Sequence, residues 1–407
     1  MKTTTPPLLA GLLAASLATL APLAHGAGFT VKLSHDLDIA RPSETVTIPW
    51  TEVNRQLPGA LIQRLAVKDA AGRVVPHQVT NLKPLSKDPK NEGIAYGELI
   101  FQHSFAAGEK SATYTVETID GVAPPFPSKA SARYVQERLD DFAWENDKLA
   151  HRTYGPALAA PAEPGSGKEV LETSGLDLWF KRVNYPVVDR WYNKGHDHYH
   201  YDQGEGMDMY NVGKSRGAGG VGVWLGGTLY TSSNYATWKV LANGPVRAIF
   251  ELHYKAWDAA GTPVSEVKRF TVDAGHYMDR IDSTFTFAGP KSLPIAIGLN
   301  KTPTDKGEAP KIALVKDKDA SAVLQWIQQA TKGAFGVAVV LPGATGYTED
   351  KLNELIVANA ESGKPLTYYA GGAWERSGDI TSQAQWEAYV RNTAARARNP
   401  VKVSWKQ

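Results

Sequence analysis

Between His196 and Tyr210 the chain reads HDHYHYDQGEGMDMY, and no other stretch is as dense in groups that carry protons or bind metal. His196, His198 and His200 are three of only ten histidines, and they alternate with Asp197, Tyr199 and Tyr201. Glu205 and Asp208 follow among glycines. In an extended strand, residues at i, i+2 and i+4 share one face. The spacing therefore predicts three imidazoles on one side and Asp197, Tyr199 and Tyr201 on the other. Imidazole exchanges protons near neutral pH. His198 and His200 are accordingly the candidate acid and base, with Tyr199 or Tyr210 as a second proton carrier. Tyr210 fits that geometry more easily, since Tyr199 would face away from the histidines.

A metal site is a second reading. Same-face neighbours on a strand lie about 6–7 Å apart, so three of them on one ion would be strained. Imidazole from this run, such as His196, joined by Glu205 and Asp208 from a returning loop, is an easier set for a divalent ion. Glu205 and Asp208 also read as a hydrolytic carboxylate pair. A third reading makes the histidines structural, hydrogen-bonded or exposed without chemistry.

Cations stand nearby in the sequence. Lys181-Arg182 is followed by Tyr185, Asp189 and Arg190, and His151-Arg152-Thr153-Tyr154 precedes them. Arg holds a carboxylate through two parallel hydrogen bonds, and Lys holds it as a point charge. Lys181, Arg182 and Lys239 are the candidates for gripping an acidic sugar, and surface salt bridges are the plain alternative. A neutralised carboxylate acidifies the C–H beside it, so a base can take that proton while an acid assists departure of the group at C4. Trp374, in the aromatic run Tyr368 to Trp374, reads as a sugar platform or as part of a packed hairpin.

The elements that must position these groups are mostly strands. Residues 27–125 alternate with period two between Gly- and Asp-bearing turns, as in Phe29 to Leu33 and Ala112 to Val116, which predicts a small β-sandwich. A Pro- and Ala-rich stretch from Val122 to Ala132 reads as a linker. Residues 133–407 then form a larger β-rich region. In Leu176 to Lys181, Leu176, Leu178 and Phe180 would share one face, and Asp177, Trp179 and Lys181 the other. Ser382 to Arg398 reads as a helix, Thr348-Glu349-Asp350 as the start of a short one, and Val401 to Trp405 as a closing strand.

Composition bounds the setting. Residues 1–26 combine a basic start, an apolar run and small residues, the pattern of a cleaved signal peptide, which predicts a periplasmic or secreted protein. Roughly 380 residues then remain, enough for one large domain or two ordinary ones. No later segment has the roughly twenty apolar residues of a spanning helix. The absence of cysteine excludes disulfides and thiolate chemistry. A formal charge of +2 argues against a nucleic-acid binder. Eleven Trp and seventeen Tyr suit either the core of a β protein or stacking against sugar rings.

The strings AWENDKLAHRTYGPAL, SGLDLWFKRVNYPVVDRWY, YHYDQGEGMDMYNVG and KVLANGPVRAIFELHY resemble the secreted bacterial family called domain of unknown function 4861, over roughly Phe29 to Trp405. The resemblance implies association with polysaccharide degradation and a larger sandwich like that of sugar mutarotases and many lyases. The expectation is a carbohydrate-active enzyme performing β-elimination, as lyase or dehydratase, on uronate-containing oligosaccharides. A glycoside hydrolase and a non-catalytic sugar-binding protein are the alternatives.

Overall fold

The computed structural model describes residues 1, 27–82, 97–123, 125–305 and 309–406. The N-terminal stretch read as a leader lies outside them, residue 1 apart. Within the described residues the chain is mainly β and almost wholly antiparallel. Among the described residues no helix is long and apolar enough to cross a membrane.

The small sandwich packs two sheets. One pairs Gly28–Ser34 with Ser111–Thr118, which in turn pairs with Leu65–Lys68. The other joins Arg41–Pro49, Glu98–Phe105 and His77–Thr80. Phe29, Val31 and Leu33 alternate inward from the first strand onto Val46, Ile48, Phe101 and Val116. The first sheet has a fourth member from the far end of the chain. Lys402–Lys406 pairs with Gly28–Ser34, placing Lys32 opposite Ser404. By sequence this closing strand belonged with the larger region. Its position is set instead by the open edge of Gly28–Ser34, whose backbone groups need partners.

The larger part consists of three sheets around one core. An eight-stranded sheet runs in the order Thr237–Ala242, Arg247–Ala259, Thr262–Asp273, Met278–Thr286, Pro365–Trp374, Gly333–Val340, Ala322–Gln329, Lys311–Asp317. Facing it are two five-stranded sheets, bridged at Leu176 and Gly217. One centres on Ser292–Asn300. The other, here the capped sheet, runs Gly206–Asp208, Leu176–Lys181, Leu149–Thr153, Asp141–Glu145, Ser131–Val135. Leu178, Phe180, Phe250, Phe270, Ile297 and Val337 meet in the shared core.

The helix expected after Ser382 spans Gln383–Arg398, with the Ser382 hydroxyl accepting from the Gln385 amide at 3.3 Å. Trp386, Val390 and Ala394, spaced four apart, bury one stripe against the outward face of the eight-stranded sheet. A Cβ on Gly336 would come within 2.5 Å of the Trp386 ring, so only glycine lets helix and sheet approach this closely. The short helix expected at Thr348 is a strand, Gly346–Glu349, hairpinned onto Asn353–Glu361. Asp350 caps the turn rather than a helix, accepting from the Leu352 and Asn353 amides at 2.7 Å each.

Trp386→Ala should lower the free energy of unfolding by about 3–5 kcal/mol. Urea denaturation measures this, and a loss below about 1 kcal/mol would show that the helix does not depend on its tryptophan.

Candidate active site

The capped sheet buries both faces. Phe142, Trp144, Leu149, Leu178, Phe180 and Met207 point into the shared core. Ala143, Ala150 and Trp179 point the other way, under two short helices, Val188–Tyr192 and His196–Tyr199. Trp179 stacks on Trp191 at 5.5 Å and on Tyr199 at 4.7 Å between ring centroids. The predicted division of faces in Leu176 to Lys181 is therefore the observed one.

Charge sits on this second face. The Arg152 guanidinium donates from Nε to Asp177 Oδ2 at 2.7 Å and from Nη2 to Asp208 Oδ2 at 3.1 Å. Asp141 Oδ2 is 3.6 Å from Arg152 Nη1. Tyr154 donates to Asp177 at 3.4 Å, and Tyr192 to Asp141 at 3.3 Å. Every one of these side chains is buried. Arg152, helped at Asp141 by Arg138 from further off, meets three buried carboxylates, so burial favours a proton on some of them. Burial pushes Asp141 up to about 6. Burial, reinforced by Asp177, holds Asp208 well above the usual carboxylate range. Burial also raises Asp177, against the pull of Arg152.

His200 connects this cluster to the surface. Its Nε2 lies 3.5 Å from Asp208 Oδ2, and its Nδ1 lies 2.8 Å from the His196 carbonyl oxygen. Its side chain is 35% exposed, against 4% for Asp208, so it forms the rim of an otherwise dry site. Burial holds its pKa below the ordinary histidine value.

The histidine run is a helical turn, not a strand. Gly195, at φ +89°, reverses the backbone before it. His196 and His200 therefore share a face, with ring centroids 4.4 Å apart, while His198 lies on another. Tyr199 is the residue drawn inward onto Trp179, and burial raises its pKa. His196 is exposed beside Asp197. His198 is half-buried, and its ring nitrogens have no partner among the described residues.

Other sequence candidates prove to be braces. Lys181 is buried and donates to Glu145 at 2.8 Å and to the Asn146 carbonyl at 2.6 Å, so it is not free to grip a substrate. Glu145 also accepts from the amides of Val187 and Val188, which open the first cover helix. Glu205 is spent on Tyr185, Arg190 and Trp191. It is thus neither paired with Asp208 across a cleft nor gathered with it and His196. Among the described residues no three His, Asp or Glu side chains come together as metal ligands. Tyr210 is buried and donates to the Gly217 carbonyl at 2.9 Å. Trp374 is a core residue, 1% exposed, donating to the Lys332 carbonyl, and so presents no platform. Lys239 is exposed on the edge strand Thr237–Ala242 of the eight-stranded sheet.

Arg182 does face open space. It pairs with Asp202 at 2.9 Å and lines a cleft of about 460 Å³ with Lys148, Tyr185, Tyr277 and Asp379. Lys181, at the cleft's inner end, is paired across strands with Gly206, two positions from the pairing of Trp179 with Asp208.

Asp177 and Asp141 were not singled out as site residues by sequence, and Arg152 only as one of several nearby cations. The signal was present in the strands DFAWE, LAHRT and LDLWFK. Each sets charge amid apolar neighbours on a strand that buries both faces. Such a charge must find a partner.

A family model described as "Domain of unknown function (DUF4861)" matches residues 33–403. Uncharacterized protein P7 of Formosa agariphila is 30% identical over 385 residues, covering 92% of each chain. An α-mannosidase structure from Enterococcus faecalis V583 aligns with 94% of this chain at a TM-score of 0.45 and 8% identity. A glycosyl hydrolase family 38 structure from Enterococcus faecalis aligns with 94% at 0.46 and 9%. The chain spans about half the length of those two solved chains, 46% and 48%.

On the core side of the capped sheet lies a second titratable pair. Trp144 Nε1 donates to Asp279 Oδ2 at 2.7 Å, and His151 stacks on Trp144 with its Nδ1 3.7 Å from the same oxygen. Burial pushes Asp279 up to about 7 and His151 down to about 3. The raised acid stabilises the fold fully below pH 3.8, and that contribution fades as pH rises toward 7. The depressed base stabilises it fully above pH 6.5, and that contribution fades as pH falls toward 3. The two trends oppose each other in mild acid. Asp279→Asn should therefore melt at steadily lower temperature from pH 6.5 to 4, more steeply than the parent. Parallel melting curves across that range would refute the opposition.

Proposed function

The chain belongs to the DUF4861 family, and we propose that it is an exported enzyme that performs β-elimination on acidic carbohydrate. The observation that carries this reading is His200, an imidazole at the surface whose Nε2 faces a buried, proton-holding carboxyl at 3.5 Å. The His196 carbonyl can only accept, so His200 Nδ1 bears a hydrogen. In the neutral ring the Nε2 lone pair then faces Asp208. Asp208 passes its proton to Nε2 as Nδ1 releases its own, and the reverse restores it, which makes the pair a proton store with one outlet. His198 is the imidazole left free to meet substrate.

The cleft lined by Arg182, whose walls do not include His198, His200 or Asp208, supports an acidic substrate. Arg182, which faces open space beside Asp202, offers a cation for a uronate carboxylate, while Lys148 is already paired with Asp379, and Tyr185 and Tyr277 offer aromatic walls. With that carboxylate neutralised, His198 takes the proton from the adjacent carbon C5. The C–H electrons form the C4–C5 double bond as the C4–O bond breaks. The departing oxygen receives its proton from the His200–Asp208 pair.

Purified protein incubated with uronate oligosaccharides should give a rising conjugated-alkene absorbance. His198→Ala, His200→Ala and Asp208→Asn should each slow that rise by about 10²–10⁴-fold. Full turnover in both histidine variants would sink the assignment. New reducing ends without the alkene band would replace elimination by hydrolysis, and no conversion across a broad panel would leave a binding protein.

A further inference from the structure

A second cleft, of about 440 Å³, opens where the small sandwich, the helix Gln383–Arg398 and the outward face of the eight-stranded sheet meet. Its floor is a row of cross-strand neighbours. Thr271 is paired with Arg280, and Arg280 with Tyr369. Strand residues alternate between faces, so this row looks away from the core that Phe270, Ile281 and Tyr368 fill. Arg247 and Arg396 complete the walls, with Glu44 and Asp273.

The arginines are held from behind. Asp273 binds Arg247 through both oxygens, at 2.5 and 2.7 Å, and Glu98 lies 3.9 Å away on its far side. Asp282 binds Arg280 through Nε and Nη2 at 3.3 and 3.0 Å. Glu44 is shared by Arg396 and Arg41, which bind one of its oxygens at 2.9 and 3.0 Å. The lining itself thus has three guanidiniums against two carboxylates, one of which also serves a fourth arginine. Nη1 of Arg280, Nη1 of Arg396 and the Tyr369 hydroxyl have no partner among the described residues. Fixed guanidinium forks with an unused edge are prepared for an oxyanion. A half-buried tyrosine ring beside them suits the apolar face of a pyranose, and the volume falls in the range of small-molecule sites, about 300–1,000 Å³.

We infer that this cleft is a second, non-catalytic subsite for a saccharide bearing one anionic group, a carboxylate or a sulfate ester. Arg280 and Arg396 take the anion through their free nitrogens, and Tyr369 takes the ring. The ligand class rests on the carbohydrate reading above, but none of the residues is shared with the His200 centre. Its position between the two parts of the chain would let an acidic glycan lie across both.

Isothermal titration calorimetry on the His200→Ala protein tests this without turnover. The probes are trigalacturonate, glucose 6-sulfate, neutral maltotriose and inorganic sulfate. Trigalacturonate should bind in two events. Arg182→Ala should remove one of them. Arg280→Ala and Tyr369→Ala should each weaken the other roughly tenfold or more. The Arg280 side chain is 51% exposed, so its loss should leave the fold intact, and a thermal melt checks that. If glucose 6-sulfate binds more tightly in the Arg280-dependent event, the anion is a sulfate ester, and the inference stands. A single event dependent only on Arg182 would overturn the subsite and leave the elimination reading untouched. Inorganic sulfate binding as tightly as the saccharides would also overturn it, as would indifference to Arg280→Ala. Arg280-dependent binding in a protein that never turns over substrate would uphold the subsite while removing the enzyme.

Discussion

A guanidinium buried among three carboxyls is the constraint around which the capped sheet is organised. Arg152 is buried, so the hydrogen bonds it donates go to Asp177 and Asp208, and the rings of Tyr154 and Trp179 lie against its guanidinium. A buried ion pair that loses one partner costs about 3–5 kcal/mol, because the remaining charge stays dry and alone. The arrangement is therefore all or nothing. Three strands must bring their charges to one level, and a roof must keep solvent out.

The roof is residues 182–205, and its construction explains where the other polar groups went. Glu145 ties down the start of the Val188–Tyr192 helix and takes Lys181 as counter-ion. Glu205 fastens the same helix from its other side through Arg190 and Trp191. Arg182 and Asp202 clasp its two ends. Residues with the makings of chemistry thus serve to hold a lid of two short helices that would not stand alone in water. What the roof leaves open is a narrow rim occupied by His200.

The sequence revealed this arrangement unevenly. Strand periodicity divided the faces of Leu176–Lys181 as observed, because a two-residue period is all the pleat requires. The Ser382 cap and the Trp386 stripe placed the long helix for similar local reasons. The histidine run misled because alternation of His with Tyr satisfies a strand template equally well. Tertiary packing decided it, by drawing Tyr199 onto Trp179 and turning the backbone at Gly195. Aromatic richness suggested a platform at Trp374, yet an indole in a β core needs only one acceptor, and the Lys332 carbonyl supplies it. Asp177 was the least legible, since its meaning comes from an arginine 25 residues away in sequence.

The pairing of Gly28–Ser34 with Lys402–Lys406 has a consequence for how the protein is made. The small sandwich cannot complete its sheet until the whole of the large part has been synthesised. Its first strand waits with one edge bare, open to any extended segment that reaches it. Contacts of such sequence separation slow folding. The same pairing makes the backbone nearly a closed circle. A permuted chain, joined across these neighbouring strands and opened at a surface turn such as Ala260-Gly261, would place both strands in one hairpin and remove the wait.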